Sequence, residues 1–281
     1  MRVLALSAAG AIFFCSGANA AYLYGSSESV PYWAGFYLGV NGGYVGADRT
    51  ASFTPNDANV NAVTCGGFFG GTCAGPADVG SNGGLAGVQV GYNWEVGSWL
   101  LGFETDINWA NLHGTGTSAF SLGAASADLA AAEDLNWFGT ARARAGVKLG
   151  ENVLVYGTAG LAYGGVHDSV ALDSQAGASA TGAGFGFSCI AGPACFAGSS
   201  SQTAAGWTAG VGVEYSFWGN ISVKAEYLYM DLGSGAAVRA AALNGAGAVP
   251  SSFTAALNEN EFNVFRLGLN YRFSQCCEPL K

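Results

Sequence analysis

The sequence predicts an all-β protein: a closed, eight-stranded antiparallel up-and-down barrel that crosses a membrane, with short turns at one end and four long loops at the other. Three observations predict it. Residues 262–273, FNVFRLGLNYRF, set Phe265, Leu267, Leu269, Tyr271 and Phe273 on one face and Arg266, Gly268, Asn270 and Arg272 on the other. A period of two is that of a strand, and an apolar face backed by a charged one fits lipid outside and a polar lumen inside. Half the chain is hydrophobic and only 10% is charged, yet past the N-terminal segment no apolar run approaches the ~20 residues of a spanning helix. Finally, the links between alternating segments are by turns tight and long, as in a barrel with short periplasmic turns and long extracellular loops.

The elements follow in order. Arg2, the apolar stretch 3–15 and the small-x-small set Ala18-Asn19-Ala20 predict an export signal over 1–20, cleaved after Ala20. Residues 21–32 then form a short periplasmic segment, 33–273 the barrel and 274–281 a periplasmic tail. The first strand, about 33–47, carries Phe36, Leu38, Val40 and Tyr44 on one face. The second, 84–96, turns Ala86, Val88, Val90, Tyr92 and Trp94 outward. Gly97-Ser98 is a two-residue hairpin link to the third, 99–110, with Leu101, Phe103, Ile107 and Trp109 outward and Glu104, Asp106 and Asn108 inward. The fourth, 136–149, points Thr140, Arg142, Arg144 and Lys148 inward. A turn at 150–152 leads to the fifth, 153–166. The sixth, 205–217, has Trp207, Val211, Val213, Tyr215 and Phe217 outward, and Trp218-Gly219-Asn220 turns the chain into the seventh, 221–232. There Val223, Ala225, Tyr227 and Tyr229 face outward and Lys224 and Glu226 inward. Residues 262–273 close the set, and the intervening links are rich in Gly, Ala and Ser.

Energy fixes which face is which. Reversing the last strand places Arg266 in lipid at about 2–4 kcal/mol near the midplane, and reversing the fourth adds Arg142, Arg144 and Lys148. The inward set Glu104, Asp106, Arg142, Arg144, Lys148, Glu214, Lys224, Glu226, Arg266 and Arg272, counted with Glu95, has both signs in near balance, which reads as an ion-pair network filling the lumen. Trp33, Trp94, Trp99, Trp109, Trp137, Trp207 and Trp218 are expected at the membrane interfaces. Export implies an oxidising compartment, so Cys65 with Cys73 and Cys189 with Cys195 are expected as two local disulfides worth roughly 2–3 kcal/mol each; adjacent Cys276 and Cys277 are assigned no role. The net charge of −9 argues against nucleic acid as a partner. No Walker loop, HExxH or paired CxxC occurs, so no catalytic, cofactor or metal residues are assigned. His113 and His167, with Asp168, are the ingredients of a Ser/His/acid set, and are read as rim or loop histidines.

The stretches WAGFYLGVNGGY (33–44), GVQVGYNW (87–94), NWFGTARARAG (136–146), VEYSFWGNISVKAEYLYMDLG (213–233) and the terminal LGLNYRF together resemble the small eight-stranded outer-membrane β-barrel proteins of Gram-negative bacteria, in their surface-antigen branch. The resemblance implies residence in the outer membrane and contact with its lipids and lipopolysaccharide. It also implies insertion by the barrel-assembly machinery through a terminal aromatic signal, here Tyr271 and Phe273, although this chain continues past Phe273 with SQCCEPLK where the family usually stops. An eight-stranded interior is just wide enough for side chains, so the expected role is structural, with the loops open to an extracellular ligand. Two alternatives stand beside it. One is a narrow porin, if the inward Gly87, Gly91, Gly210, Gly212 and Gly268 leave a continuous gap. The other is a lipid-modifying enzyme built on the rim histidines.

Overall fold

A computed structural model describes residues 33–58, 60–61, 75–122, 125–174, 196–235, 237–243, 251–258 and 260–273. The export segment, the C-terminal tail and Cys65, Cys73, Cys189 and Cys195 lie outside the described residues. The described residues form ten antiparallel strands: β1 (Gly35–Pro55), β2 (Ala77–Val96), β3 (Trp99–Leu122), β4 (Ala125–Leu149), β5 (Val153–Ser174), β6 (Phe196–Trp218), β7 (Ile221–Asp231), β8 (Ala237–Ala242), β9 (Ser252–Leu257) and β10 (Glu261–Arg272). Each of β1 to β7 pairs with its sequence neighbour, and β10 closes the ring by pairing with both β7 and β1.

The sequence pattern predicts eight strands; the described residues form ten, and the reason lies in strand length. β7 and β10 are 11 and 12 residues long, close to the ~9–11 residues that span a bilayer. β3 and β4 run for 24 and 25 residues, more than twice that need. Where β7 and β10 stop, the segment between them folds back as the β8–β9 hairpin. β9 pairs with β1 (Ala51–Leu257 to Pro55–Phe253), β8 with β9, and β8 with β6. The hairpin thereby covers the β1 edge and the first residues of β6 past the height where β7 and β10 end.

The link between the third and fourth predicted strands also differs from expectation. Instead of a long loop, regular pairing continues from Leu112–Leu135 to Leu122–Ala125. Its Ala, Gly, Ser and Thr composition hides the strand, because small residues show weak alternation. The tight turns fall where the sequence puts them: Gly97, Gly150 and Gly219 adopt φ of 63°, 75° and 50°, a region open to glycine at little cost. We call that end of the barrel the turn end and the opposite one the loop end.

Candidate functional site

The outer surface carries an apolar belt toward the turn end. Phe36, Leu38, Val40 and Tyr44 on β1, Leu101, Phe103, Ile107 and Trp109 on β3, and Phe265, Leu267, Leu269 and Tyr271 on β10 are all exposed. The belt covers 36–44 of β1 and 265–272 of β10, again close to a bilayer's worth of strand. Aromatic rings bound it on both sides. Trp137 lies 6.1 Å from Tyr163 and Trp207 5.3 Å from Tyr229 toward the loop end, and Phe36 lies 5.6 Å from Phe273 at the turn end. Trp33 is a correction: it is fully buried rather than interfacial. It caps the turn-end mouth from inside, donating its indole N–H to the Glu151 carbonyl (3.1 Å) beneath the Arg272 guanidinium, 4.5 Å from its ring.

Beyond the belt the patterning inverts. On β1 the outward positions change from Val40 and Tyr44 to Asp48, Thr50 and Ser52, while the inward ones change from Tyr37 and Asn41 to Val45, Ala47 and Ala51. β5 does the same: Tyr163 gives way to His167 and Ser169 outside, and Thr158 to Val166, Val170 and Leu172 inside. β4 resets its phase with a bulge at the same height, between Leu135 and Trp137, as a bulge re-aims side chains. One half is therefore apolar outside and ionic inside, and the other is built like a water-soluble barrel.

Inside the belt, eight of the predicted network residues come together. Glu104 accepts from Arg142 (2.5 Å) and from Lys224 (2.8 Å to each oxygen), and the Tyr37 hydroxyl donates to it at 2.8 Å. Asp106 accepts from Arg142 and Arg266, both at 2.9 Å, and from the Thr140 hydroxyl at 2.7 Å. Glu226 pairs with Arg266 at 2.6 Å and Arg142 at 3.1 Å. Arg144 pairs with Glu214 and lies 3.6 Å over the Tyr156 ring. Glu104, Asp106, Glu214 and Glu226 thus face Arg142, Arg144, Lys224 and Arg266 without excess charge, and all are buried. The other two predicted members sit nearer the turn end: Lys148 pairs with Glu95, and Arg272 donates to Ser216 at 2.9 Å.

Toward the loop end an apolar layer closes the lumen above this network, with Phe138, Phe262, Met230, Leu228 and Leu135 among its members. Next comes a second polar layer that the sequence reading missed. Arg49 reaches from β1 to Glu133 on β4 (2.6 Å) and Asp168 on β5 (3.4 Å), all three side chains sealed from solvent. Burial pushes the Glu133 and Asp168 carboxyls above their ordinary values, against the opposing pull of Arg49. A final apolar layer containing Phe196, Phe253, Leu129, Leu172 and Val238 lies beyond.

The histidines stand on the outside, past the belt. His113 bonds Asp134 at 2.5 Å and His167 bonds the Ser201 hydroxyl at 2.6 Å. Asp168, the sequence neighbour of His167, points the other way, into the lumen, as alternate strand residues must. The hollow of about 360 Å³ beside His167 is lined by Trp137, Gly165, Ser201 and Thr203. Among the described residues no three His, Cys, Asp or Glu side chains gather as a metal-ligand set.

Comparison with known proteins agrees with this architecture. Residues 6–273 match the family described as outer membrane protein beta-barrel domain. The chain is 34% identical over 272 residues to the 31 kDa outer-membrane immunogenic protein of Brucella melitensis biotype 1, across 94% of this chain and 96% of the relative. It is 28% identical over 199 residues to the 22 kDa outer membrane protein of Rhizobium leguminosarum bv. viciae, across 71% of this chain and 64% of that one. Neisserial surface protein A is a structural neighbour at 16% identity and a TM-score of 0.35, over 85% of this chain and 98% of that chain. The chain belongs to the outer membrane protein beta-barrel family and resides in the outer membrane.

Proposed function

We propose that this chain is a non-conducting, non-enzymatic scaffold that holds a rigid ring and its loops above the outer membrane, in contact with lipopolysaccharide and the cell's surroundings. The turn end faces the periplasm in this reading, and the inverted half stands outside. The observation that carries it is the filled lumen: an ionic layer, an apolar layer, a second polar layer and a second apolar layer in series. Ions entering such a stack would shed water against apolar side chains at high cost.

The inward glycines, which a porin would need as open space, support the same reading. The Tyr37 ring occupies the space beside Gly91, Tyr156 that beside Gly212, and Gln89 and Lys224 that beside Gly268. Enzymatic use of the rim histidines is disfavoured because His167, which bonds Ser201, has no free acid beside it: Asp168 is turned away, and Asp134, its cross-strand partner on β4, is engaged by His113. A relative named immunogenic suits a chain whose loops meet a host.

Planar-bilayer recording of the refolded protein tests this. The expected result is no stable conductance at moderate voltages. Reproducible single-channel steps that disappear on Arg142→Ala would instead establish the narrow porin.

A further inference from the structure

We propose that the second polar layer binds one hard, oxygen-seeking cation of the size of Ca²⁺ or Na⁺, held by Asp168, Glu133 and Asn260 and reached through the side of the barrel.

Charge comes first. Glu133 and Asp168 are cross-strand partners on β4 and β5, both facing inward and both fully buried, and Arg49 is the one guanidinium between them. The remaining described cations are engaged elsewhere: Arg142, Arg144, Lys224 and Arg266 in the network below, Lys148 with Glu95, Arg272 over Trp33, and Arg239 with Ser252. One negative charge is left over in a layer sandwiched between apolar ones, where an uncompensated charge is strongly disfavoured.

The unsatisfied atoms come second. Asp168 Oδ2, Arg49 Nε and both polar atoms of the Asn260 side chain are buried without a hydrogen-bond partner. The pairings on either side, Gly46 with Asn263 and Ala51 with Leu257, bring Asn260 alongside Arg49. Buried polar groups in folded proteins are almost always partnered; the Asp168 and Asn260 oxygens at one height can offer electron pairs to a cation, and Arg49 Nε and the Asn260 amide nitrogen, which are hydrogen-bond donors, would be met by water carried in with it. The donors to the cation are carboxylate and amide oxygens, with no imidazole or thiolate. That set selects a hard cation, and with few protein oxygens and no built octahedron it suits Ca²⁺ or Na⁺ better than Mg²⁺.

The way in comes third. The β6–β8 ladder consists of Phe196–Ala242 and Ala197–Ala241, and pairing on that side of β6 resumes only at Trp207–Asp231. Ser200, the β6 partner of Asp168, lies inside this interval. Ser200 and Gln202 share the inward parity of Phe196 and Ala204 yet remain half-buried. The strands stay in contact at Gly198 and Gly206, so the lapse is confined to the residues between, at the height of the unsatisfied oxygens, and a cation crossing the wall there would meet neither apolar layer. Once bound it links β4, β5 and the segment just before β10, at the height where the β6–β8 ladder lapses.

The test uses the full chain refolded in detergent micelles, with choline as the background cation. Titration with Ca²⁺ by calorimetry, and replacement of choline by Na⁺ at constant ionic strength with the thermal midpoint as readout, are expected to reveal one saturable site per chain. Asn260→Ala keeps the Arg49 ion pairs whole and is expected to weaken binding at least tenfold, as is Asp168→Asn. Asp128→Asn, on the outer face of β4, is expected to leave binding unchanged. The proposal is overturned by either of two results: no saturable effect of either cation, or full binding retained in Asn260→Ala.

Discussion

Glu104 shows how much of this barrel rests on single side chains. It meets Arg142, Lys224 and, at 3.5 Å, Arg266, so Glu104→Ala leaves three buried cations short of a partner. Removing one member of a buried ion-pair network costs about 3–5 kcal/mol, and a shift of that order is expected in urea titration followed by tryptophan fluorescence. Glu133 and Asp168 carry a pH signature of opposite sense to ordinary paired carboxylates. Arg49, Asp168 and Ser81 face Glu133, and Arg49, His167 and Asp134 bear on Asp168. Both carboxyls hold protons more tightly folded than unfolded, so their contribution favours folding below the ordinary carboxylate range and is lost as pH rises through the raised folded values. In cation-free buffer the wild type is expected to gain stability on going from pH 8 to pH 5, and Glu133→Gln to gain less. Residues of the lower network were legible in the sequence because each charge there alternates with an apolar neighbour on a strand of obvious period. Arg49 was not, since it lies past the belt, where neither face is strongly apolar. Trp33 was misjudged because a tryptophan at a strand end looks the same in sequence whether it faces lipid or plugs a mouth.

At the level of elements, the β8–β9 hairpin completes the inverted half of the ring. Its anchor is Phe253, buried and packed 5.7 Å from Phe196 and 6.1 Å from Phe53. Phe253→Ala is expected to cost the inverted half about 3–5 kcal/mol. Limited proteolysis should then cut near 237–257 sooner, while the belt strands keep their heat-modifiable migration on gels. Faster cutting elsewhere, with 237–257 still protected, would show that the hairpin is not the weak element. This hairpin was illegible beforehand. Its strands AVRAAA and SFTAAL have little amphipathic contrast, and their partners lie far away in sequence on β1 and β6. Strand register over such distances follows from closure of the ring, which no local pattern encodes.

For the molecule as a whole, the inversion of patterning separates two environments along each long strand. Val40 and Ser52 lie on the same outward face of β1, one in the belt and one beyond it. Val40→Arg is expected to cost about 2–4 kcal/mol on refolding into lipid vesicles, whereas Ser52→Arg should stay within about 0.5 kcal/mol of wild type. Equal costs at the two positions would mean that the belt does not end where the pattern changes. The fold class was legible because the belt strands alternate so strongly; the projecting half was not, because its outer face is small and polar and its inner face is mostly Ala, Val and Leu, a contrast that composition alone reads as loop.

The same boundary has a bearing on how the protein sits among lipids. Sliding along the membrane normal would drag Asp48 and Thr50 into acyl chains on one side or lift Leu38 and Val40 into water on the other, so vertical travel is blocked in both directions. Any mismatch in thickness must then be absorbed by the surrounding bilayer, and thick, long-chain membranes should thin locally around this barrel rather than tilt or submerge it.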